Sequence, residues 1–157
     1  MKLAQITSRY RASLIANVYK KWVKSNETAV DVGCGTGVVT EYLAKSLNSK
    51  IIGCDIDKYL VSNIEFRKMK SFSKLPFKPA TFSYSMFNDV LHHTEYKNQI
   101  ALIKESLRVS NKVLIFELKP TRLGKLFDFI LNKIHNPKMN IPYTYRSKED
   151  WIDVFKE

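Results

Sequence analysis

The chain has 157 residues, 45% of them hydrophobic, and a formal net charge of +11. A chain of this size can bury most of its apolar surface in one core without metals or disulfides, and two cysteines, Cys34 and Cys54, are too few for a disulfide framework. No hydrophobic run is long enough to span a membrane and the N-terminus has no apolar signal core, so a cytoplasmic location is expected. His92, His93, His135 and the cysteines show no metal-ligand spacing, and we expect no metal site.

The N-terminal segment is predicted to be an amphipathic helix over residues 5–24. Apolar side chains recur there every four residues, which predicts one apolar stripe. The stripe consists of Ile6, Tyr10, Leu14, Val18 and Trp22.

Strands and helices alternate in the rest of the chain as far as residue 119. This alternation predicts an α/β fold with a Rossmann-like, doubly wound and mainly parallel sheet. We interpret residues 1–157 as a single domain, with an N-terminal helix in 1–26, a core in 27–119 and a helical segment in 120–157. The pattern predicts strands over 28–33, 51–55, 70–72, 82–87 and 112–117, and helices over 37–47, 58–68, 122–134 and 148–157. It also predicts a helix that Thr94 caps and that carries Ile100, Ile103 and Leu107 inward.

The first strand contains a single carboxylate, Asp31, two residues before Gly33. Strands of a parallel sheet are covered on both faces and are almost wholly apolar. A buried carboxylate is costly unless a cation or a hydrogen-bond donor faces it, so we expect a ligand to supply the partner of Asp31.

A glycine-rich loop follows this strand. Gly33, Gly35 and Gly37 allow a sharp turn and a close backbone approach to a ligand at a helix N-terminus. Val38 occupies the position where a dinucleotide-binding motif has its third glycine, which disfavours a nicotinamide-dependent oxidoreductase. Asp55 ends the second strand about 20 residues beyond the loop, where an acidic side chain can bind ribose hydroxyls. A simple tight turn, with Asp55 only capping a helix, is the alternative.

These features together resemble the class I S-adenosylmethionine (SAM)-dependent methyltransferases, particularly those that methylate ubiquinone and menaquinone precursors. The resemblance spans residues 1–119 and implies that SAM is the cofactor. The matching stretches are Val30 to Gly37, Gly53 to Asp57, Leu75-Pro76-Phe77, Val90-Leu91-His92-His93 and Glu105 to Val109.

The resemblance also implies roles for individual residues. Asp31 faces the methionine amino group, the loop from Gly33 to Gly37 lies under the methionine and ribose, and Asp55 holds the ribose. Tyr10 closes over the cofactor. The expected cofactor-binding set is Asp31, Gly33, Cys34, Gly35, Thr36, Gly37, Asp55, Ile56, Ser71, Phe72, Asn88 and Tyr10.

Two of the chain's departures from the family bear on the cofactor site and on the sheet. The acidic residue that commonly contacts the adenine is replaced by Ser71, so this contact is weaker or made by the backbone. The family sheet continues with a closing pair of strands, whereas this sequence stops at Glu157. We therefore expect a sheet without the closing strands, in a minimal or C-terminally shortened fold.

Candidate catalytic residues follow the fourth strand. Methyl transfer from a sulfonium is an in-line displacement that depends mainly on alignment in a dry pocket. Asn88 and His93 lie at the carboxyl edge of the sheet, where His93 can serve as a general base. The alternative is that one histidine of the pair His92–His93 packs inside and the other is solvated.

Positive charge is concentrated in three groups. Such a surface attracts nucleic acid, anionic metabolites or an acidic membrane surface, and a solvated exterior without a specific partner is the alternative. A catalytically weak or silent SAM-binding protein that binds nucleic acid is the alternative function. The groups are Lys2, Arg9, Arg11, Lys20, Lys21 and Lys24; Arg67, Lys68, Lys70, Lys74 and Lys78; and Lys119, Arg122, Lys125, Lys133, Lys138, Arg146 and Lys148.

The fifth strand has no later segment to pair with it. An open apolar strand is an aggregation hazard, so we expect the C-terminal helices or a second subunit to cover it. The homodimer is the favoured version. The apolar side chains available are Leu123, Phe127, Ile130 and Ile134 in one helix and Trp151 and Phe155 in the other.

Overall fold

Five parallel strands form one sheet in the computed structural model, which describes residues 3–135 and 141–156. Three residues of the sequence predictions, Lys2, Lys138 and Glu157, lie outside these ranges. The strand order is β3-β2-β1-β4-β5, which confirms the predicted Rossmann-like parallel α/β fold. The strands are β1 (Thr28–Val32), β2 (Lys50–Asp55), β3 (Phe66–Lys68), β4 (Tyr84–Asn88) and β5 (Val113–Phe116).

Helices cover both faces of the sheet. The α-helices are α1 (Leu3–Tyr19), α2 (Val38–Ser46), α3 (Tyr96–Val109), α4 (Arg122–His135) and α5 (Lys148–Val154), and a short 3-10 helix spans Leu91–His93. None of these helices combines the length and the hydrophobicity that a membrane crossing requires.

The core consists of two apolar clusters, one on each face. Successive side chains of a strand point to opposite faces, so Val30 and Val32 enter one cluster and Ala29 enters the other. The first cluster includes Leu102 and Ile103 of α3, and the second includes α1 and α2. Asp31 therefore lies on the face that α1 and α2 cover.

The predicted apolar stripe of the N-terminal helix is wrong. The buried side chains of α1 are Ala12, Ile15, Ala16 and Tyr19, whereas Tyr10 is 68% exposed and Trp22 is 65% exposed. A spacing of four residues advances about 400° around a helix, so such a stripe drifts by about 40° at each step. The side chain of Ile6 lies outside the described part, and the helix ends at Tyr19 instead of residue 24.

The predicted helix over 58–68 is also wrong. The chain there is a loop that ends in β3, because Phe66 pairs with Gly53 of β2 and the Gly53 N–H donates to the Glu65 carbonyl at 2.9 Å. The third strand therefore lies before the predicted range of 70–72. In that range Ser71 forms only an isolated antiparallel bridge with Lys74.

Strand β5 is an edge strand within the described residues. Trp151 and Val154 of α5 pack on the cluster that includes Val113 and Ile115, so α5 lies against one face of the sheet. Helix α4 exposes many large apolar side chains. These are Leu123, Leu126, Phe127, Phe129, Ile130 and Leu131.

Candidate functional site

A cleft of about 460 Å³ opens at the carboxyl ends of β1, β2 and β4. Ligands of open α/β sheets bind at this edge, and the volume suits a small molecule. We call it the strand-end cleft. Its lining comprises residues 33–36, 55–57, 88–90, Tyr59, Phe72, His93, Thr94, Asn132 and Ile141.

The glycine loop, residues 33–37, forms one side of this cleft. Gly33 has a φ of +79°, and a Cβ added there would lie 2.2 Å from Val90 Cγ2. Gly35 has a φ of +52°, and a Cβ there would meet no atom within 4 Å. Gly33 is thus required for packing against the loop after β4, while Gly35 leaves its backbone open to a ligand.

Asp55 stands beside the glycine loop at the end of β2. Its Oδ2 accepts a hydrogen bond from the Gly35 N–H at 2.9 Å and its Oδ1 accepts one from the Ile56 N–H at 2.7 Å. Burial raises the pKa of this carboxyl, and the backbone donors oppose the rise. Each oxygen retains a lone pair that can accept from a ligand hydroxyl.

Asp31 lies behind the loop and is outside the cleft lining. Its Oδ2 accepts from the Thr40 hydroxyl at 2.6 Å and its Oδ1 accepts from the Asn88 amide at 3.0 Å. Burial raises the pKa of Asp31 to about 6, although both hydrogen bonds lower it. The expectation that a ligand must supply its partner is corrected: Thr40 and Asn88 are the partners in this structure.

The remaining predicted residues divide into two sets. Cys34, Thr36, Ile56, Phe72 and Asn88 line the cleft together with Gly33, Gly35 and Asp55. Ser71, Gly37 and Tyr10 are outside the lining.

Each of these three residues has a local reason for its position. Gly37 is the N-cap of α2, and the Ser71 hydroxyl lies 3.1 Å from that of Ser73. Tyr10 is on the exposed side of α1, opposite the buried stripe. The neighbouring aromatic residue that reaches the site is Tyr19, whose hydroxyl donates to Asn88 Oδ1 at 3.0 Å.

The histidine pair occupies two different environments. His92 is 2% exposed, and its Nδ1 lies 2.5 Å from Glu117 Oε2. Burial lowers its pKa, but the carboxylates of Asp128 and Glu117 outweigh burial and raise it to about 9. His93 lines the cleft, and burial together with the charge of His92 lowers its pKa to about 4. His93 is therefore a neutral imidazole at pH 7.

Two charged side chains fix the loop after β4. Glu117 follows β5, and its Oε1 accepts from the N–H groups of Val90 at 2.8 Å and Leu91 at 2.7 Å. Arg11 of α1 forms a two-pronged pair with Asp89, with both N···O distances 2.6 Å. Sequence reasoning missed Arg11, Glu117 and Asp128, because their partners are distant in the chain and no local motif marks them.

This arrangement can bind a nucleoside-type ligand and place a reacting group near an imidazole. Asp55 and the open backbone of Gly35 lie in the same cleft as Asn88 and His93. Among the described residues, none that lines the Asp55 side is a cation, although Lys68 lies 3.4 Å from Asp57. The other side brings together acids, imidazoles and Arg11.

The chain was compared with known protein families, with curated proteins and with solved structures. A family model described as "Methyltransferase domain" matches residues 30–113. A ribosomal protein L11 methyltransferase from Campylobacter concisus is 40% identical over 60 residues, which is 36% of this chain and 21% of that protein.

Solved structures share the fold. The YcgJ protein of Bacillus subtilis has a TM-score of 0.65 at 18% identity, over 94% of this chain and 66% of its own. A SAM-dependent methyltransferase from Aquifex aeolicus has a TM-score of 0.65 at 18% identity, over 92% of this chain and 77% of its own. A chain of the complex that contains the Trm112 methyltransferase activator of Haloferax volcanii has a TM-score of 0.68 at 15% identity, covering 94% and 67%. This chain thus spans less than two thirds of the first of these relatives, and far less of the Campylobacter protein.

Proposed function

The chain belongs to the class I SAM-dependent methyltransferase family, and we propose that it binds SAM in the strand-end cleft and transfers the methyl group to an acceptor beside His93. The observation that carries this proposal is the juxtaposition of the open Gly35 backbone and the Asp55 carboxylate in one cleft. A dinucleotide cofactor is disfavoured because Val38 begins α2 where the dinucleotide motif requires a glycine.

In this proposal the carboxylate of Asp55 accepts hydrogen bonds from the ribose hydroxyls. The methionine end lies along residues 33–36, and Phe72 and Ile56 supply apolar contacts to the adenine. Asp31 acts indirectly: its hydrogen bond holds the Asn88 amide, which lines the cleft. Tyr10, Gly37 and Ser71 keep a proposed role only if the bound state brings them closer.

Methyl transfer depends more on the alignment of the acceptor with the methyl group than on acid–base chemistry. A sulfonium is a good leaving group, so a cleft that holds the acceptor in line with the methyl group supplies much of the rate. We assign Asn88 to orienting the acceptor and the His93 ring nitrogen to receiving its proton. The lowered pKa of His93 keeps the ring neutral at pH 7 and also makes it a weak base. Both side chains line the cleft.

An anionic acceptor suits the charge of the chain. The net charge is +11, and such a field attracts anionic metabolites and nucleic acid. A second cleft of about 690 Å³ near the end of β5 supports this class, because its lining has three cations, Lys119, Arg146 and Lys148, against two carboxylates, Glu117 and Glu149. The proposed cellular location is the cytoplasm, and the proposed assembly is a homodimer that covers the exposed apolar side chains of α4.

Calorimetry with SAM, S-adenosylhomocysteine and NAD tests the cofactor proposal. We expect the first two to bind and NAD not to bind. Asp55→Ala should weaken SAM binding by about 1–3 kcal/mol, because backbone and ribose donors lose their acceptor. The control is Asp153→Ala, which removes an exposed carboxylate of α5. Preference for NAD, or unchanged SAM affinity in Asp55→Ala, would refute the assignment.

A transfer assay with methyl-labelled SAM tests the activity. RNA, DNA, proteins and small anionic metabolites are supplied as acceptors, and His93→Ala should lower turnover of the accepted one. Tight SAM binding without transfer to any class would favour the alternative, a silent SAM-binding protein that binds nucleic acid.

A further inference from the structure

Three ionisable side chains converge at the rim of the strand-end cleft. His92, His93 and Asp128 each offer one ligand atom, and these atoms all lie within 4.8 Å of one another. His92 Nε2 is 3.2 Å from Asp128 Oδ2. Metal–ligand bonds of about 2.0–2.2 Å place neighbouring ligand atoms about 3–3.5 Å apart, so this pair already has the spacing of two ligands. We call the three residues the histidine cluster.

The inner nitrogen of His92 lacks a hydrogen bond in the structure. His92 Nε2 is buried and has no hydrogen-bond partner among the described residues; Asp128 is at ion-pair distance but not aligned to accept. The other nitrogen, Nδ1, is held by Glu117. A carboxylate on one imidazole nitrogen, with no hydrogen bond at the second, is the arrangement that orients histidine toward a metal ion. The ion takes the place of the proton on that second nitrogen when it binds.

The carboxylate of Asp128 is also held in place. Its Oδ2 accepts from the Tyr145 hydroxyl at 2.6 Å, and its Oδ1 accepts from the Asn132 amide at 3.0 Å. The His92 ring stacks on Tyr145 at 5.0 Å and meets His93 edge-on at 4.3 Å between centroids. These contacts fix two of the three ligands before any ion arrives.

The cluster opens toward the proposed reaction site. His93 and Asn132 both line the strand-end cleft, so an ion held by the three side chains has an approach from that side. Two imidazoles and one carboxylate suit zinc, cobalt, nickel or ferrous iron better than magnesium or calcium, which prefer oxygen ligands.

We propose that His92, His93 and Asp128 form a binding site for one divalent transition-metal ion of the zinc class, with its open coordination position facing the strand-end cleft. A use for the ion rests on the proposed function: it would bind an oxygen of the methyl acceptor and favour transfer of that oxygen's proton to water. With the ion bound, His93 is a ligand and the ion takes over activation of the acceptor. No ligand spacing is visible in the sequence because the third ligand comes from α4, far along the chain from the histidine pair.

Metal titration of the full chain tests the site. The protein is treated with a chelator and titrated with Zn²⁺ by calorimetry and with Co²⁺ by visible absorption. We expect one ion per chain. His93→Ala and the isosteric Asp128→Asn should each weaken binding at least about 100-fold, and Glu117→Gln about 10–100-fold, the usual effect of losing an outer partner of a ligand.

The matched control is Asp153→Asn, which should bind the ion like the parent chain. Circular dichroism identifies any variant that fails to fold, and the remaining ligand variant then decides the result. Less than half an ion per chain, or equal affinities in parent and ligand variants, would mean surface binding only and overturn the proposal.

SAM calorimetry on the same metal-free samples separates the two proposals. SAM binding without metal binding refutes the metal site alone. Metal binding without SAM binding refutes the proposed function and leaves the metal site standing.

Discussion

The strand-end cleft has two sides with different construction. On the β1–β2 side, the cleft is bounded by the backbone of the glycine loop, whose glycines have positive φ angles. The carboxylate of Asp55 on this side is held by two backbone N–H groups. On the β4–β5 side, charged side chains from separate elements meet, with Arg11 from α1, Glu117 after β5 and Asp128 from α4. The β1–β2 side can position a ligand through shape and hydrogen bonds. The β4–β5 side can stabilise charge and accept or donate protons.

The largest expected effect comes from the backbone side. Gly33→Ala should lower the free energy of unfolding by about 2–5 kcal/mol, because a left-handed alanine is strained and its Cβ overlaps Val90. Urea unfolding measures the loss. Gly35→Ala is the control: it has the strain without the overlap, so we expect only about 1–2 kcal/mol.

A second substitution sharpens this test. Val90→Ala in the Gly33→Ala background should restore part of the stability, since it removes the overlapping methyl groups. Equal losses of unfolding free energy in Gly33→Ala and Gly35→Ala, with no recovery when Val90→Ala is added, would show that the two sides of the cleft do not pack through this contact.

Asp31 should make stability depend on pH. Its pKa is about 6 when folded and about 3.9 in an unfolded chain. Between these values the folded state retains a proton that the unfolded state has released, so stability falls as pH rises through this window. The loss by pH 7 is on the order of 3 kcal/mol.

Asp31→Asn keeps the shape of the side chain and removes the titration. Urea unfolding of parent and variant on both sides of this window isolates the effect, because other groups titrate equally in both. A difference between parent and variant that is independent of pH would contradict the predicted shift.

A smaller effect is expected where α1 anchors the charged side. Arg11→Met should cost about 1–2 kcal/mol of unfolding free energy, because the half-buried Asp89 loses a two-pronged partner while the packing on Phe116 is kept. Arg67→Met is the control, since its ion pair with Glu65 is exposed and should contribute about 0–1 kcal/mol. Thermal unfolding of both variants, showing equal losses, would contradict a specific role for Arg11.

The smallest effect concerns the basic surface. If the N-terminal basic group binds nucleic acid, then Arg9→Glu and Lys20→Glu should each reduce the slope of log affinity against log salt by about 1. Lys156→Glu, two residues beyond α5, is the control. Fluorescence titrations with RNA and DNA at several salt concentrations measure the slope, and an unchanged slope would favour a solvated surface.

Sequence reasoning succeeded where the determinants are contiguous. The glycine loop and Asp55 could be predicted because the loop is a continuous motif and the strand after it ends at a fixed distance. The β3 segment could not: residues 58–68 have no strand pattern of their own, and only Phe66–Lys68 form a strand, by pairing with the end of β2. The roles of the individual cleft residues stay predictions.

The environments of His92 and His93 could not be predicted from the sequence, for a different reason. Their pKa values depend on Glu117 and Asp128, which approach only when α4 and β5 are in place. The buried stripe of α1 was missed because its members, Ala12 and Ala16 among them, are small and give a weak periodic signal. The periodicity of a local sequence pattern therefore predicts neither long-range contacts nor a buried helix face made of small residues.

The position of Glu117 has a mechanical consequence. This one carboxylate follows the edge strand and holds the first two N–H groups of the segment that leads to His92 and His93. The same carboxylate lies 2.5 Å from His92 Nδ1. Three contacts of one side chain therefore tie the end of the edge strand to the histidine end of the cleft, and the placement of both histidines depends on where β5 ends.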